Sequence, residues 1–203
     1  MINPDPRPLL VVISAPSGTG KTTLCDRLIS EFNTMKYSVS CTTRSPRDGE
    51  IDGVDYHFIT EDEFNRKVQD GAFLEFAKVH GRMYGTLKNM VMDTLNSGCD
   101  VLMDIDVQGA AQIRNYLQQL ENRDALKRAY LDVFIAPPSL DVLYARLKGR
   151  GKDSDEVIDR RMQQVEKEIS HWRKFNYFII NDRLDATYDA LRSIIIAERH
   201  RLT

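Results

Sequence analysis

The sequence predicts an α/β protein in which a parallel sheet is covered by helices on both faces. Three observations predict it. The runs Leu9–Ser14, Val101–Ile105, Tyr130–Ile135 and Tyr177–Ile180 are apolar on consecutive positions, as strands buried on both faces should be. Amphipathic stretches separate these runs, with helical patterns near 22–33, 107–120, 140–148, 155–173 and 185–200, and Ser139 and Asp185 as N-caps. A glycine-rich turn joins the first strand to a helix pattern of Leu24, Cys25, Leu28, Ile29 and Phe32. At 203 residues the chain suits one folding unit with a full core and small inserted lobes. The core is expected at about 8–36, 97–139 and 173–203.

Residues 37–96 break the alternation of buried strand and helix and read as an inserted mixed lobe. Tyr37 to Thr42 alternates apolar and polar residues like a half-buried strand, and Val54–Ile59 and Phe73–Val79 read as two more. Thr60 with Glu63 forms a capping-box pattern opening a short helix, and a second helix from Leu87 to Asn96 is closed by Gly98. A third unit, 140–172, centres on Gly149-Arg150-Gly151-Lys152-Asp153, flanked by helices bearing Arg146, Arg160 and Arg161. That composition suits a mobile lid, with an ordinary solvated helix connection as the alternative that the segment would favour if no phosphate cradle were present.

A net charge of −2 argues against a general nucleic-acid or membrane binder, so any anion site must come from locally gathered Arg and Lys. Cys25, Cys41 and Cys99 are widely spaced without metal-ligand patterns and read as small core residues in a reducing compartment. Residues 1–8 hold three prolines and no apolar run, and no segment reaches membrane-spanning length, so a cytoplasmic location is expected. His57, His80, His171 and His200 show no ligand or triad spacing.

The glycine-rich turn carries the clearest chemistry. In Ala15-Pro16-Ser17-Gly18-Thr19-Gly20-Lys21-Thr22-Thr23, the inner glycines let successive backbone N–H groups point inward, and the helix N-terminus reinforces that anion nest. Lys21 supplies a charge for β- and γ-phosphates, and the Thr22 hydroxyl a ligand for Mg²⁺. Ala15 stands where the GxxxxGK[ST] pattern has its first glycine. Asp104 and Asp106 follow an apolar strand, where open α/β sheets bind ligands; Asp104 suits Mg²⁺ and its waters, while either carboxylate could instead cap the next helix. In the lobe, period 2 would align Ser38, Ser40, Thr42 and Arg44, with Arg47 nearby. The two guanidiniums make a candidate second phosphate site, or a polar strand face with surface arginines. Glu75, inside an aromatic strand, needs donors facing it.

The ordered set SAPSGTGKTT, SVSCTTRSPRDGEIDGVDYHF, FLEFAKVHGRMYGT, DIDVQGAAQI, IAPPS, LKGRGKDS and IIND resembles the guanylate kinase family over roughly residues 8–200. The resemblance implies a P-loop NTPase-type three-layer core, a GMP-binding lobe and a small helical lid, with ATP and GMP as substrates and Mg²⁺ as cofactor. It implies that Arg44, Arg47, Tyr56 and Tyr84 hold the GMP phosphate and that Ser40, Glu75, Thr86 and Asp106 read guanine. It assigns Lys21, Arg44, Arg150 and Arg161 to the transferring phosphoryl, Thr22 and Asp104 to the metal, and Arg146 and Asn181 to the adenine side. Two departures stand out: Ala15, and a long charged segment from Tyr116 to Ala129 that the resemblance does not explain. A kinase-like interaction module and a P-loop kinase for a sugar phosphate are the alternatives. The intact Gly18-x-Gly20-Lys21-Thr22 argues against the first and the Glu75 group against the second.

Overall fold

A computed structural model of the chain describes residues 7–79, 81–149 and 155–202. Five parallel strands form the core sheet: β1 (Leu10–Ser14), β2 (Met35–Tyr37), β7 (Asp100–Asp104), β8 (Tyr130–Ala136) and β9 (Tyr177–Ile180), in the order β2-β7-β1-β8-β9. β1 lies in the middle and is buried throughout, so alternate residues feed two separate cores. Val11 and Ile13 pack with Leu24 and Leu28 of α1 (Lys21–Glu31) and with Leu191 and Ile195 of α8 (Leu184–Arg199). Leu10 and Val12 pack on the other face with Val91 of α3 (Lys88–Asn96), Ile113 of α4 (Val107–Gln118) and Leu126 of α5 (Ala125–Ala129). The three-layer arrangement expected from the consecutive apolar runs is therefore the observed one.

The inserted lobe is a second sheet in the order β4-β3-β6-β5, made of β3 (Cys41–Thr42), β4 (His57–Phe58), β5 (Phe73–Val79) and β6 (Arg82–Leu87). It is closed by α2 (Glu61–Gln69), whose Phe64 stacks on Phe73 with ring centroids 4.4 Å apart. The Thr60 hydroxyl accepts from the Glu63 N–H at 3.1 Å, as the capping pattern predicts. The unit expected as a lid is a pair of helices, α6 (Leu140–Gly149) and α7 (Asp155–Ile169), joined through Leu143, Leu147, Ile158 and Val165.

Several boundaries differ from the sequence expectation. The run from Tyr37 to Thr42 is not one strand: β2 belongs to the core sheet, and the chain crosses through Ser38–Ser40 into the lobe sheet. Ser38, Ser40, Thr42 and Arg44 therefore share no strand face, and Thr42 is buried. The strand expected at Val54–Ile59 contracts to two residues, and the hairpin partner β6 was not expected. Asp185 is not the N-cap of α8; Arg183 holds that position, and Asp185 sits in the first turn, paired with Arg27 at 2.8 Å. The unexplained segment contains α5, capped by Asp124.

Candidate functional site

Gly18 and Gly20 adopt left-handed backbone, with φ of 92° and 97°, a region that disfavours side chains. Space forbids them as well: a Cβ on Gly18 would meet Leu147 Cδ2 at 2.8 Å, and one on Gly20 would meet Asn181 Nδ2 at 2.8 Å. The cradle is braced from behind. Asn181 Nδ2 donates to the Thr19 carbonyl at 2.6 Å, while Thr187 Oγ1 donates to Asn181 Oδ1 at 3.0 Å. Asn181 is buried and both ends of its amide are engaged, so its side chain is turned to the cradle backbone. Arg146 of α6 donates to the carbonyls of Asn181 and Asp182 at 3.1 and 3.3 Å, tying that helix to the same turn.

Lys21, the first residue of α1, is ion-paired with Asp104 at the end of β7. A cavity of about 380 Å³ opens over this pair, lined by cradle residues 15–18 and 20–23 together with Asp104, Asp106 and Glu168. Glu168 of α7 was not foreseen; burial raises its carboxyl above the ordinary value, and the Asp106 charge adds to that. Asp106 is the N-cap of α4, its Oδ1 accepting from the N–H groups of Gln108 (2.9 Å) and Gly109 (2.8 Å). The helix-capping alternative thus describes Asp106, whereas Asp104 faces the cradle. A second cavity of about 350 Å³ lies on the other side of Asp104, lined by residues that include Ser40, Tyr56, Thr86 and Ile105. Asp104 belongs to both walls.

Glu75 sits beside that second cavity's wall in an apolar setting. The β5–β6 pairing slips between Phe73 and Glu75, a bulge that lets Phe73, Leu74 and Glu75 all be buried in succession. Glu75 pairs with Thr86 across the hairpin, and Thr86 Oγ1 lies 3.4 Å from Ser40 Oγ. Burial pushes the Glu75 carboxyl up to about 7, the Asp106 charge contributing and the Thr86 hydrogen bond opposing. The lobe strand is fastened to the core beside this group: Gln112 of α4 accepts from the Phe76 N–H at 3.1 Å and donates to the Phe76 carbonyl at 2.7 Å. One turn earlier Gly109 leaves space for the carboxylate, since a Cβ there would lie 3.0 Å from Glu75 Oε2.

Arg44 is held by Glu50, which the sequence did not single out, through Nη1 and Nη2 to its two oxygens at 2.8 Å each. Glu50 also accepts from the Arg47 N–H at 2.7 Å, so one carboxylate fixes the turn between the two arginines. The Arg44 contact and the Arg47 N–H hold the Glu50 carboxyl down at about 2. The Arg44 guanidinium lies 5.3 Å from the centre of the Tyr56 ring, and Tyr56 meets Tyr84 edge-on at 5.9 Å. Arg44, Tyr56 and Tyr84 thus form one group, with exposed Arg47 at its edge. Arg161 lies on α7, and Arg150 falls outside the described residues.

A left-handed glycine cradle at the C-terminal end of a central parallel strand, with a lysine on the following helix and a strand-end carboxylate, defines a P-loop protein. The sequence profile of the guanylate kinase family matches residues 7–198. A guanylate kinase of Ruegeria pomeroyi is 49% identical over 97% of this chain and 89% of that relative, and one of Nitratidesulfovibrio vulgaris is 49% identical over 94% and 87%. The crystal structure of guanylate kinase from Anaplasma phagocytophilum superposes with a TM-score of 0.71 at 28% identity, covering 97% of this chain and 88% of that one. The chain belongs to the guanylate kinase family.

Proposed function

We propose that the protein transfers the γ-phosphoryl of ATP to GMP, giving ADP and GDP. The observation that carries this reading is the pair of cavities divided by Asp104: a phosphate cradle on one side, and on the other a chamber backed by buried Glu75 and Thr86 with half-buried Ser40. Guanine presents N1–H and an N2 amine as donors, which a carboxylate accepts, and O6 as an acceptor for a hydroxyl. Adenine inverts the pattern at N1 and C6, leaving a buried group unpaired at a cost of about 1–3 kcal/mol.

In this reading the cradle N–H groups and Lys21 receive the ATP phosphates, while Arg44, Arg47, Tyr56 and Tyr84 hold the phosphate of GMP from the opposite side. Lys21, Arg44, Arg150 and Arg161 share the charge that spreads over the transferring group. Positioning two nucleotides in line and matching that charge in a closed site supplies most of the rate in such transfers, and no covalent enzyme intermediate is required. Closure of α6 and α7 over the cradle would exclude water as a competing acceptor. Arg146 and Asn181, which the family resemblance assigns to the adenine side, here brace the cradle and α6.

Thr22 and Asp104 offer Mg²⁺ two oxygen donors lining the cradle cavity, and no cluster of three or more ligating side chains occurs among the described residues. That donor set fits an ion that arrives with its waters on the substrate phosphates, rather than one caged by protein. When bound, the ion neutralises phosphate charge. No helix among the described residues is long and apolar enough to cross a membrane.

The test is ADP formation from ATP and Mg²⁺ with GMP, AMP, CMP, UMP or no acceptor, with Lys21→Ala as the blank. Turnover confined to GMP and its close analogues is expected. Turnover with none of them from folded protein would overturn the reading.

A further inference from the structure

The edge of the core sheet away from the cradle, where β1 and β8 begin, carries a second concentration of positive charge that the proposed reaction does not use. Two adjoining cavities of about 430 and 750 Å³ open there, and Arg7, Arg128 and Arg201 line both. The larger adds Arg123 and Lys127, so five cations line it against one carboxylate, Glu198. Neither cavity shares a lining residue with the cradle or the acceptor chamber.

Glu198 does not balance this charge. It already takes Arg7 at 3.2 Å, Arg201 at 3.5 Å and the Tyr177 hydroxyl at 2.7 Å. Arg199, lining the smaller cavity, is matched by Asp100, and Lys127 donates to the Leu120 carbonyl at 3.1 Å. Arg123 and Arg128 are exposed and pair with no carboxylate among the described residues. Two acids lie on the same connection, but Asp124 is turned to the cap of α5 and Glu121 reaches no cation. Arg7 Nη1 is buried with no hydrogen-bond partner among the described residues.

We propose that this groove binds a small molecule bearing a chain of phosphates. Guanidinium forks match phosphate oxygens in pairs, and several converge here on a concave site of ligand size rather than along an extended track. Leu95, Ala125 and Ala129 give the smaller cavity an apolar wall on which the body of such a ligand can rest. The charged connection from Tyr116 to Ala129 thereby acquires a role: α5 and the turn before it carry Arg123, Lys127 and Arg128 to the groove.

The experiment uses the full chain and inorganic tripolyphosphate, followed by calorimetry and by amide hydrogen exchange. Lys21→Ala weakens the cradle's own claim on the probe, so binding that survives it, with protection over residues 122–130, is expected. Adding Arg123→Ser and Arg128→Ser, both surface changes, should weaken that remaining binding tenfold or more, and alone they should leave turnover unchanged. Loss of all binding in Lys21→Ala would overturn the proposal, as would protection confined to the cradle or undiminished affinity in the triple variant. So would an oligonucleotide that binds the segment while tripolyphosphate cannot displace it.

Discussion

Gly109→Ala separates the reading of the base from the stability of the fold. Gly109 is helical with no positive φ, so alanine meets no backbone strain and gains about 1 kcal/mol of helix propensity. Its Cβ would stand 3.0 Å from Glu75 Oε2 and 3.2 Å from Ile105 Cδ1, where ordinary contact begins at 3.4 Å. Either the carboxylate retreats by about 0.4 Å or the first turn of α4 shifts, and Gln112 resists the second by holding β5 to that helix. Misaligning one buried charged hydrogen bond costs on the order of 1 kcal/mol, about fivefold in binding. The expected result is a GMP KM raised about fivefold, an ATP KM within twofold of the parent, and a melting temperature unchanged or a few degrees higher. Glu75→Asp in the Gly109→Ala background should recover part of the loss by shortening the obstructed side chain. An unchanged GMP KM, or equal increases for both substrates, would refute the placement of Glu75 against the base.

Four further outcomes are expected. Lys21→Ala should remove most turnover, at least a hundredfold, while leaving the melting temperature within a few degrees; near-normal turnover in steady-state assays would contradict the cradle assignment. Because Glu75 stays protonated in the fold to about pH 7 against an ordinary 4.5, the unfolded chain loses that proton first as pH rises. Stability should therefore fall between about pH 4.5 and 7 by up to about 3 kcal/mol from this group, a slope that denaturant titrations should find absent in Glu75→Gln. The GMP KM should also rise as pH drops below about 7 in the parent, and less so in Glu75→Gln. Glu50→Gln replaces one oxygen facing Arg44 or Arg47 with a donor, so the GMP KM should rise about tenfold with the ATP KM little changed; an unaltered GMP KM would remove Glu50 from the positioning of Arg44.

What the sequence made legible was local. Strand, glycine turn and helix start are contiguous around Gly18 and Gly20, so their chemistry and their place in the fold could be read together. The consecutive apolar runs gave the parallel core for the same reason. Alternation misled at Tyr37–Thr42 because period 2 continues where the chain leaves one sheet and enters another, a change of partner that no residue type announces. β6 was hidden by Gly85, whose weak strand preference masks a position fixed by pairing with Phe76. Gly109, Gln112 and Glu168 act across distances in sequence or through space left empty, while Glu50 acts within its own turn but is one of several acids there, with Asp48, Asp52 and Asp55, that no spacing distinguishes. Of these, only the position of Gly109 in the first turn of a helix, where glycine is costly, offered a signal.

The bidentate hold of Gln112 on Phe76 has a bearing on engineering. On the proposed reading, the wall facing the base draws on two units: Glu75 and Thr86 come with the inserted lobe, whereas Gly109, packed against Glu75, and the Asp106 charge that acts on it come with the core helix that the lobe leans on. A lobe transplanted from a kinase of different base preference would therefore arrive with half a pocket and a mismatched seam. Its graft would need α4 residues 106–112 to travel with it, a segment that lies outside the lobe's own stretch of chain.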